Sequence, residues 1–226
     1  MQTVVLHQWE ASPFCVKVRK VLRHKNIDFT VVNYNGLMGR KAATLSAAGQ
    51  LPVIDFDGER VQDSSNIVAF LESRVPTPSI VPVAAEQRAL AWLLEDWADE
   101  SLYWLMMAAL SKTEPAALNA HIEGLCAGRP AWERVPVRLA VNRLYKRKLA
   151  ARGLSKTTGA SVLAELSSQL TYLDTLLEKR SWLVSDTKSI ADIAVSAQLD
   201  GLLKTTAGTA RIHQSAHLAD WLARCA

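Results

Sequence analysis

The sequence predicts an α/β domain of order βαβ–ββα followed by an all-helical domain, and three observations carry that prediction. Strand and helix signals alternate through the first third of the chain. Prolines then crowd the stretch VPTPSIVP, residues 75–82, which breaks the pattern. From Ala84 onward strand signals fade and long helical periodicities take over. The boundaries follow: 1–76 for the first domain, 77–83 for a linker and 84–226 for the helical domain. With 226 residues, 49% of them hydrophobic, the chain can build two modest cores.

Each element has its own warrant. TVVLHQW is a short β-branched run, and SPFCVKVRKVLRHKN after it sets Val18, Val21 and Leu22 at helical spacing among Lys and Arg. DFTVVNY reads as a second strand, and GLMGRKAATLSAAG as a loop with a short helical turn. LPVIDFDGERVQDS reads as a hairpin about Asp57-Gly58, a dipeptide that accepts the positive φ of a tight turn. SNIVAFLESR closes the first domain as a helix entered from a Ser-rich cap. In the second domain helical patterns cover 84–110, 135–153, 159–180, 189–204 and 215–225. Within 135–153, Val137, Leu139, Val141, Leu144 and Leu149 are expected on one buried face, with Arg138, Arg143, Lys146, Arg147 and, just beyond, Arg152 on solvent.

Composition removes several function classes. No apolar run reaches the roughly 18–20 residues of a membrane-spanning helix, and MQTVVLHQWE lacks the basic start and apolar core of a signal peptide. A cytoplasmic protein without a membrane partner is expected. Cys15, Cys126 and Cys225 are odd in number and widely spaced, which argues against a disulfide framework. A formal charge of +4 without a dense basic tract interleaved with aromatics argues against nucleic acid. His213 and His217 stand at i, i+4, but the further ligands of a metal site are missing, so no metal is expected. P-loop, Rossmann and Ser-His-Asp patterns are absent from the sequence.

The chemistry concentrates in ASPFCVKVRK. Ser12 precedes Pro13, a residue suited to the first helical turn, so Ser12 stands at a helix N-terminus where unpaired N–H groups favour an anion. Thiol-disulfide enzymes place a nucleophilic Cys there. A hydroxyl in that place cannot begin disulfide exchange, but it can hydrogen-bond a thiolate brought by a ligand and keep it ionised. A plain helix cap is the other reading of Ser12, and Cys15, one turn in, reads as a buried thiol. Leu51-Pro52 before a strand suggests a cis bond beside free backbone groups. Asp63, Ser64 and Ser65 begin a helix where a carboxylate can sit on N–H and hydroxyl groups while Asp63 pairs with an ammonium. Together these suit a small zwitterionic peptide.

With these motifs in order, the chain resembles the glutathione S-transferase superfamily, of the bacterial type with a Ser- or Cys-based site. The first domain resembles its thioredoxin-like domain through Ser-Pro-Phe-Cys, Leu-Pro and the acid-Ser pair DSS. The second resembles its helical domain through SIADIAV, with Ser189 and Asp192 as a buried capping box, and through the lead-in LEKRSWLVSDTK. The resemblance implies that Ser12 hydrogen-bonds the glutathione sulfur, with Pro13 and Phe14 lining that pocket. It implies that Leu51 offers its backbone to the cysteinyl part with Pro52 cis, and that Asp63 and Ser64 hold the γ-glutamyl end. Arg40 and Lys41 are the expected partners of the glycyl carboxylate. Gln50 stands at the same turn, where the family more often has a hydrophobe or a Lys-type residue. The lead-in departs as well, with Ser185-Asp186-Thr187-Lys188 where Gly-Asp and Pro are common.

The resemblance further implies a homodimer and an apolar acceptor pocket, for which Trp9, Tyr103 and Met107 are the expected residues, although such side chains at helical spacing also serve as core. The expected activity is conjugation of glutathione, as co-substrate, to a small apolar electrophile in detoxification chemistry. A glutathione-dependent isomerase, dehalogenase or peroxidase, or a non-catalytic binding protein, are the alternatives. A thioltransferase is disfavoured because the leading Cys is replaced by Ser12.

Overall fold

The computed structural model describes residues 3–203 and 205–226, the side chains of Thr206 and Ala207 excepted. The chain divides into two compact units, one made of the residues up to Ile80 with His121–Ala140, the other of Val81–Ala120 with Val141–Ala226.

The first unit is built on a four-stranded sheet of order β2-β1-β3-β4, with β1 Val4–Gln8, β2 Thr30–Asn33, β3 Val53–Phe56 and β4 Glu59–Gln62. β1 and β2 are parallel, so a crossover must join them, and α1 Pro13–His24 is that crossover. β3 and β4 are antiparallel and meet at Asp57 and Gly58, whose φ values of 50° and 87° are the paired positive angles expected of this hairpin. Thr3 N–H donates to Asp57 Oδ1 at 2.7 Å and fixes the hairpin tip to the start of β1. α2 Ser64–Arg74 packs with α1, and Leu6, Ile54, Val18, Val21, Leu22, Ile67, Val68 and Leu71 are fully buried. Burial of each such side chain stabilises by about 1.5–3 kcal/mol.

The end of α2 is tied down by Lys25, whose Nζ donates to the carbonyls of Val75 at 2.7 Å and Pro78 at 3.1 Å and pairs with Glu72 at 2.6 Å. Ile80 is buried, and its N–H donates to Glu72. Residues 77–80, read from sequence as the start of a linker, are therefore bonded into the first unit.

Among its described residues the regular elements of the second unit are helices joined by turns and loops: α3 Ala85–Trp97, a π-helical segment Ala98–Leu102, α4 Tyr103–Thr113, α7 Gly159–Leu177, α8 Ile190–Leu202, α9 Thr206–His213 and α10 Ala216–Cys225. α5 Pro115–Gly124 and α6 Arg134–Ala151 each have residues in both units. α8 is its spine, with Asp192 wholly buried. Asp192 accepts N–H and O–H of Ser189, the N–H of Leu183 and the indole N–H of Trp221, each at 2.8 Å. The Ser189–Asp192 capping box expected from sequence is present.

Two expectations are corrected here. Val137, Val141 and Leu149 are buried, but Leu139 is 66% and Leu144 39% exposed. The buried stripe of α6 follows strict i, i+4 spacing and takes Tyr145 instead. His213 ends α9 while His217 lies in α10, so a helix boundary separates them and they share no helix face.

Candidate functional site

Strand register brings several chain segments out at one end of the sheet. His7 stands opposite Val53, Val53 opposite Gln62, and Gln8 opposite Asn33. The turn before α1, the stretch following β2, the residues just before β3 and the start of α2 therefore leave from one row. Ser12, Arg40, Lys41, Gln50, Leu51, Pro52, Asp63 and Ser64 all belong to those segments.

Ser12 is the N-cap residue of α1, with φ −72° and ψ 126° and with Pro13 behind it in the first turn. Its backbone is fully used: N–H donates to the Trp9 carbonyl at 3.1 Å and C=O accepts Val16 N–H at 2.9 Å. Its side chain makes no capping bond, and the residue is half-buried. No acidic side chain lies in the first turn to offset the helix terminus. Cys15, one turn in, has no exposed surface. Burial pushes its thiol up to about 11, although the Ser12 hydroxyl, the Trp9 backbone and the Arg19 charge pull it down. It is protonated at neutral pH and enclosed, whereas Ser12 is half-buried, so Ser12 is the more accessible of the two residues.

The Leu51-Pro52 peptide is cis. The turn before it is pinned by Ser46, whose Oγ accepts Gln50 N–H and donates to Gln50 C=O, both at 3.0 Å, while Gln62 Oε1 accepts Ala47 N–H at 2.8 Å. Asp63 has a φ of 74°, a left-handed angle that costs about 1 kcal/mol or more in a residue with Cβ. Its Oδ1 accepts the N–H groups of Ser65 at 3.0 Å and Asn66 at 3.1 Å. Oδ2 has no partner among the described residues. Ser64 follows, 3% exposed.

The profile of the Glutathione S-transferase N-terminal domain matches residues 13–116, and that of the Glutathione S-transferase C-terminal domain matches 140–226. The chain belongs to the glutathione S-transferase superfamily. A glutathione S-transferase structure from Methylobacillus flagellatus with GSH bound is 25% identical, covers 98% of this chain and 94% of its own, and superposes with a TM-score of 0.67. The beta-etherase LigF from Sphingobium sp. strain SYK-6 shares the fold at 20% identity and a TM-score of 0.72, over 98% of this chain and 94% of that one. A Drosophila melanogaster protein named Failed axon connections is 24% identical over 84% of this chain and 46% of its own length. The chain spans about half the length of the curated relatives it matches.

Within this superfamily fold the remaining expected residues fall in different places. Arg40 and Lys41 lie exposed on a 3-10 segment, Gly36–Thr44, and Phe14 is half-buried in the first turn of α1. Trp9 belongs to the first unit, where its indole N–H donates to the Tyr34 carbonyl and its ring covers Gly39 so closely that a Cβ there would overlap it. Tyr103 and Met107 are buried in the second unit. Tyr103 donates to the Tyr145 hydroxyl at 3.3 Å, and burial holds its own hydroxyl well above the ordinary tyrosine range.

Other residues at this end of the sheet were not legible in sequence. Lys17 is 1% exposed, with Nζ 3.4 Å from Ser65 Oγ at the start of α2. In VKVRKV it looks like any solvated helix lysine. Ser46 and Gln62 sit in polar stretches where such residues are usual, and their role depends on partners 4 and 15 residues away. Among the described residues, no group of three or more His, Cys, Asp or Glu side chains is arranged to hold a metal.

Proposed function

We propose that this protein binds glutathione at the end of the sheet and uses Ser12 to hold its sulfur as the thiolate for attack on a small electrophile. The observation that carries the reading is the Ser12 side chain: it stands at a helix N-terminus without spending its hydroxyl on the cap. The thiol proton passes to solvent, and the Ser12 O–H and the partial charge of the α1 terminus stabilise the anion left behind. Sulfur then forms a bond to the electrophilic carbon, and the displaced electron pair leaves with a leaving group or takes a proton from water. Holding the thiol ionised and positioned provides most of the rate.

The tripeptide is placed by the surrounding segments. The Leu51 backbone pairs with the cysteinyl unit beside Pro52, and Pro13 and Phe14 wall the sulfur. Asp63 Oδ2 receives the γ-glutamyl ammonium and Ser64 its carboxylate, while Arg40 and Lys41 meet the glycyl carboxylate past the Gln50 turn. A second copy of the chain is part of the same reading, supported by the exposed apolar Val83, Leu90 and Leu93.

Calorimetric titration with glutathione, paired with the ultraviolet absorbance of the bound thiolate across pH, tests the reading. Wild type is expected to bind and to lower the thiol pKa. Ser12→Ala is expected to bind with the pKa back near that of free thiol and conjugation slowed about a hundredfold. A wild type that ignores millimolar glutathione sinks the proposal.

A further inference from the structure

The two family profiles leave 117–139 unmatched, and most of that stretch, from His121 on, folds into the first unit. There it meets the chain that follows β2. Asn35, 2% exposed, donates from Nδ2 to the Ala127 carbonyl at 2.9 Å. Gly36 N–H donates to the Leu125 carbonyl at 2.6 Å, and Leu37 N–H donates to Glu133 Oε2 at 2.8 Å. Glu133 is 1% exposed and is gripped by Arg129, Nη2 to Oε1 at 2.6 Å and Nε to Oε2 at 3.2 Å. A buried carboxylate is tolerated only when its oxygens are bonded, and both are. Gly36 has a φ of +63°, and a Cβ there would overlap the Glu133 carboxylate, so this approach requires glycine.

We propose that Glu133 is a positioning residue for glutathione: with Arg129 it latches the start of the Gly36–Thr44 segment, so that Arg40 and Lys41 are held where the glycyl end of the tripeptide arrives. The role rests on the glutathione reading above. Glu133 holds the backbone at Leu37, and Trp9 covers the same segment at Gly39. Arg40 and Lys41 come next, exposed and without an ion-pair partner among the described residues. Released from the latch, the segment spends part of its time in conformations that do not bind. Apparent affinity falls by the competent fraction, so a segment competent about a tenth of the time gives a dissociation constant about tenfold higher.

The test compares wild type, Glu133→Gln, Glu133→Ala and Arg129→Ala by hydrogen exchange at the Leu37 amide, glutathione titration and bound-thiol ionisation. Glu133→Ala is expected to lose Leu37 protection and raise the dissociation constant about tenfold. Its bound-thiol pKa should match wild type, because Ser12 is untouched. Glu133→Gln keeps an acceptor and should regain part of both. If Glu133→Ala does not fold, Arg129→Ala carries the same comparison, its side chain being 34% exposed. Unchanged Leu37 protection, unchanged affinity, or affinity and thiol pKa moving together overturns the role while the glutathione reading stands. A wild type that does not bind glutathione overturns that reading, and the role with it, whatever the exchange data show.

Discussion

Ser12 and Cys15 share the first turn of α1 and have opposite surroundings. Ser12 is half-buried with its side chain off the cap, whereas the Cys15 thiol is enclosed and pushed up to about 11. The place of Ser12 at the N-terminus of α1 was legible because Pro13 marks the first helical turn. Across the sheet, Asp55 takes a fork of bonds from Arg60, at 2.6 and 2.7 Å, and another at 3.0 Å from His7 Nε2. This array had no sequence signal, since it joins three strands through pairings that only the register supplies. The Arg60 and His7 bonds lower the Asp55 carboxyl to about 2. Its pKa in the unfolded chain is about 3.9, so the stabilisation is complete above about pH 4 and fades as pH falls toward 2. Asp55→Asn is expected to destabilise by about 1 kcal/mol at pH 7, Asp55 being part-exposed and screened. Urea unfolding at pH 7 and pH 2.5 should show the gap from wild type closing at the lower pH; a constant gap would assign the loss to packing.

At the scale of elements, the readable parts had local causes: the Asp57-Gly58 turn, the Pro13 start of α1 and the Ser189–Asp192 box each lie within a few residues. α5 and α9 escaped because Ala, Asn and Gly in PAALNAHIEG and TAGTARIH leave no clear apolar stripe. The face of α6 was misjudged because periodicity cannot tell a straight stripe from an i, i+4 ladder that drifts around the helix. Asp192 shows how one local motif serves distant ones, because its Oδ1 also accepts from Leu183 and from Trp221, 29 residues on. Asp192→Ala strands buried N–H donors from two other segments as well as the cap. A loss of about 3–4 kcal/mol is expected, against about 1 for an ordinary cap, in equilibrium denaturation. A loss of only about 1 kcal/mol would mean that the cap alone matters.

The whole molecule is organised by a detour that no local pattern announces: the chain enters the second unit at Val81, returns to the first over His121–Ala140 and leaves again. One acid, Glu133, helps to fix the return, and its partner Leu37 N–H lies 96 residues earlier, a separation that no local reading spans. α5 and α6 straddle the crossings, each a continuous run of backbone hydrogen bonds with residues in both units. Helix formation is cooperative along the chain, so melting the second-unit part of α6 removes support from the part that begins beside Glu133. We therefore expect the two units to unfold as one cooperative transition, unlike domains joined by a loose tether. Asp192→Ala, although it acts in the second unit, should lower the global opening free energy seen at the buried Leu6 amide of β1 by as much as that at α8 amides. Native-state hydrogen exchange in rising denaturant measures both at once. Leu6 holding its wild-type protection while α8 opens early would show that the crossing helices fray at the unit boundary and do not transmit the loss.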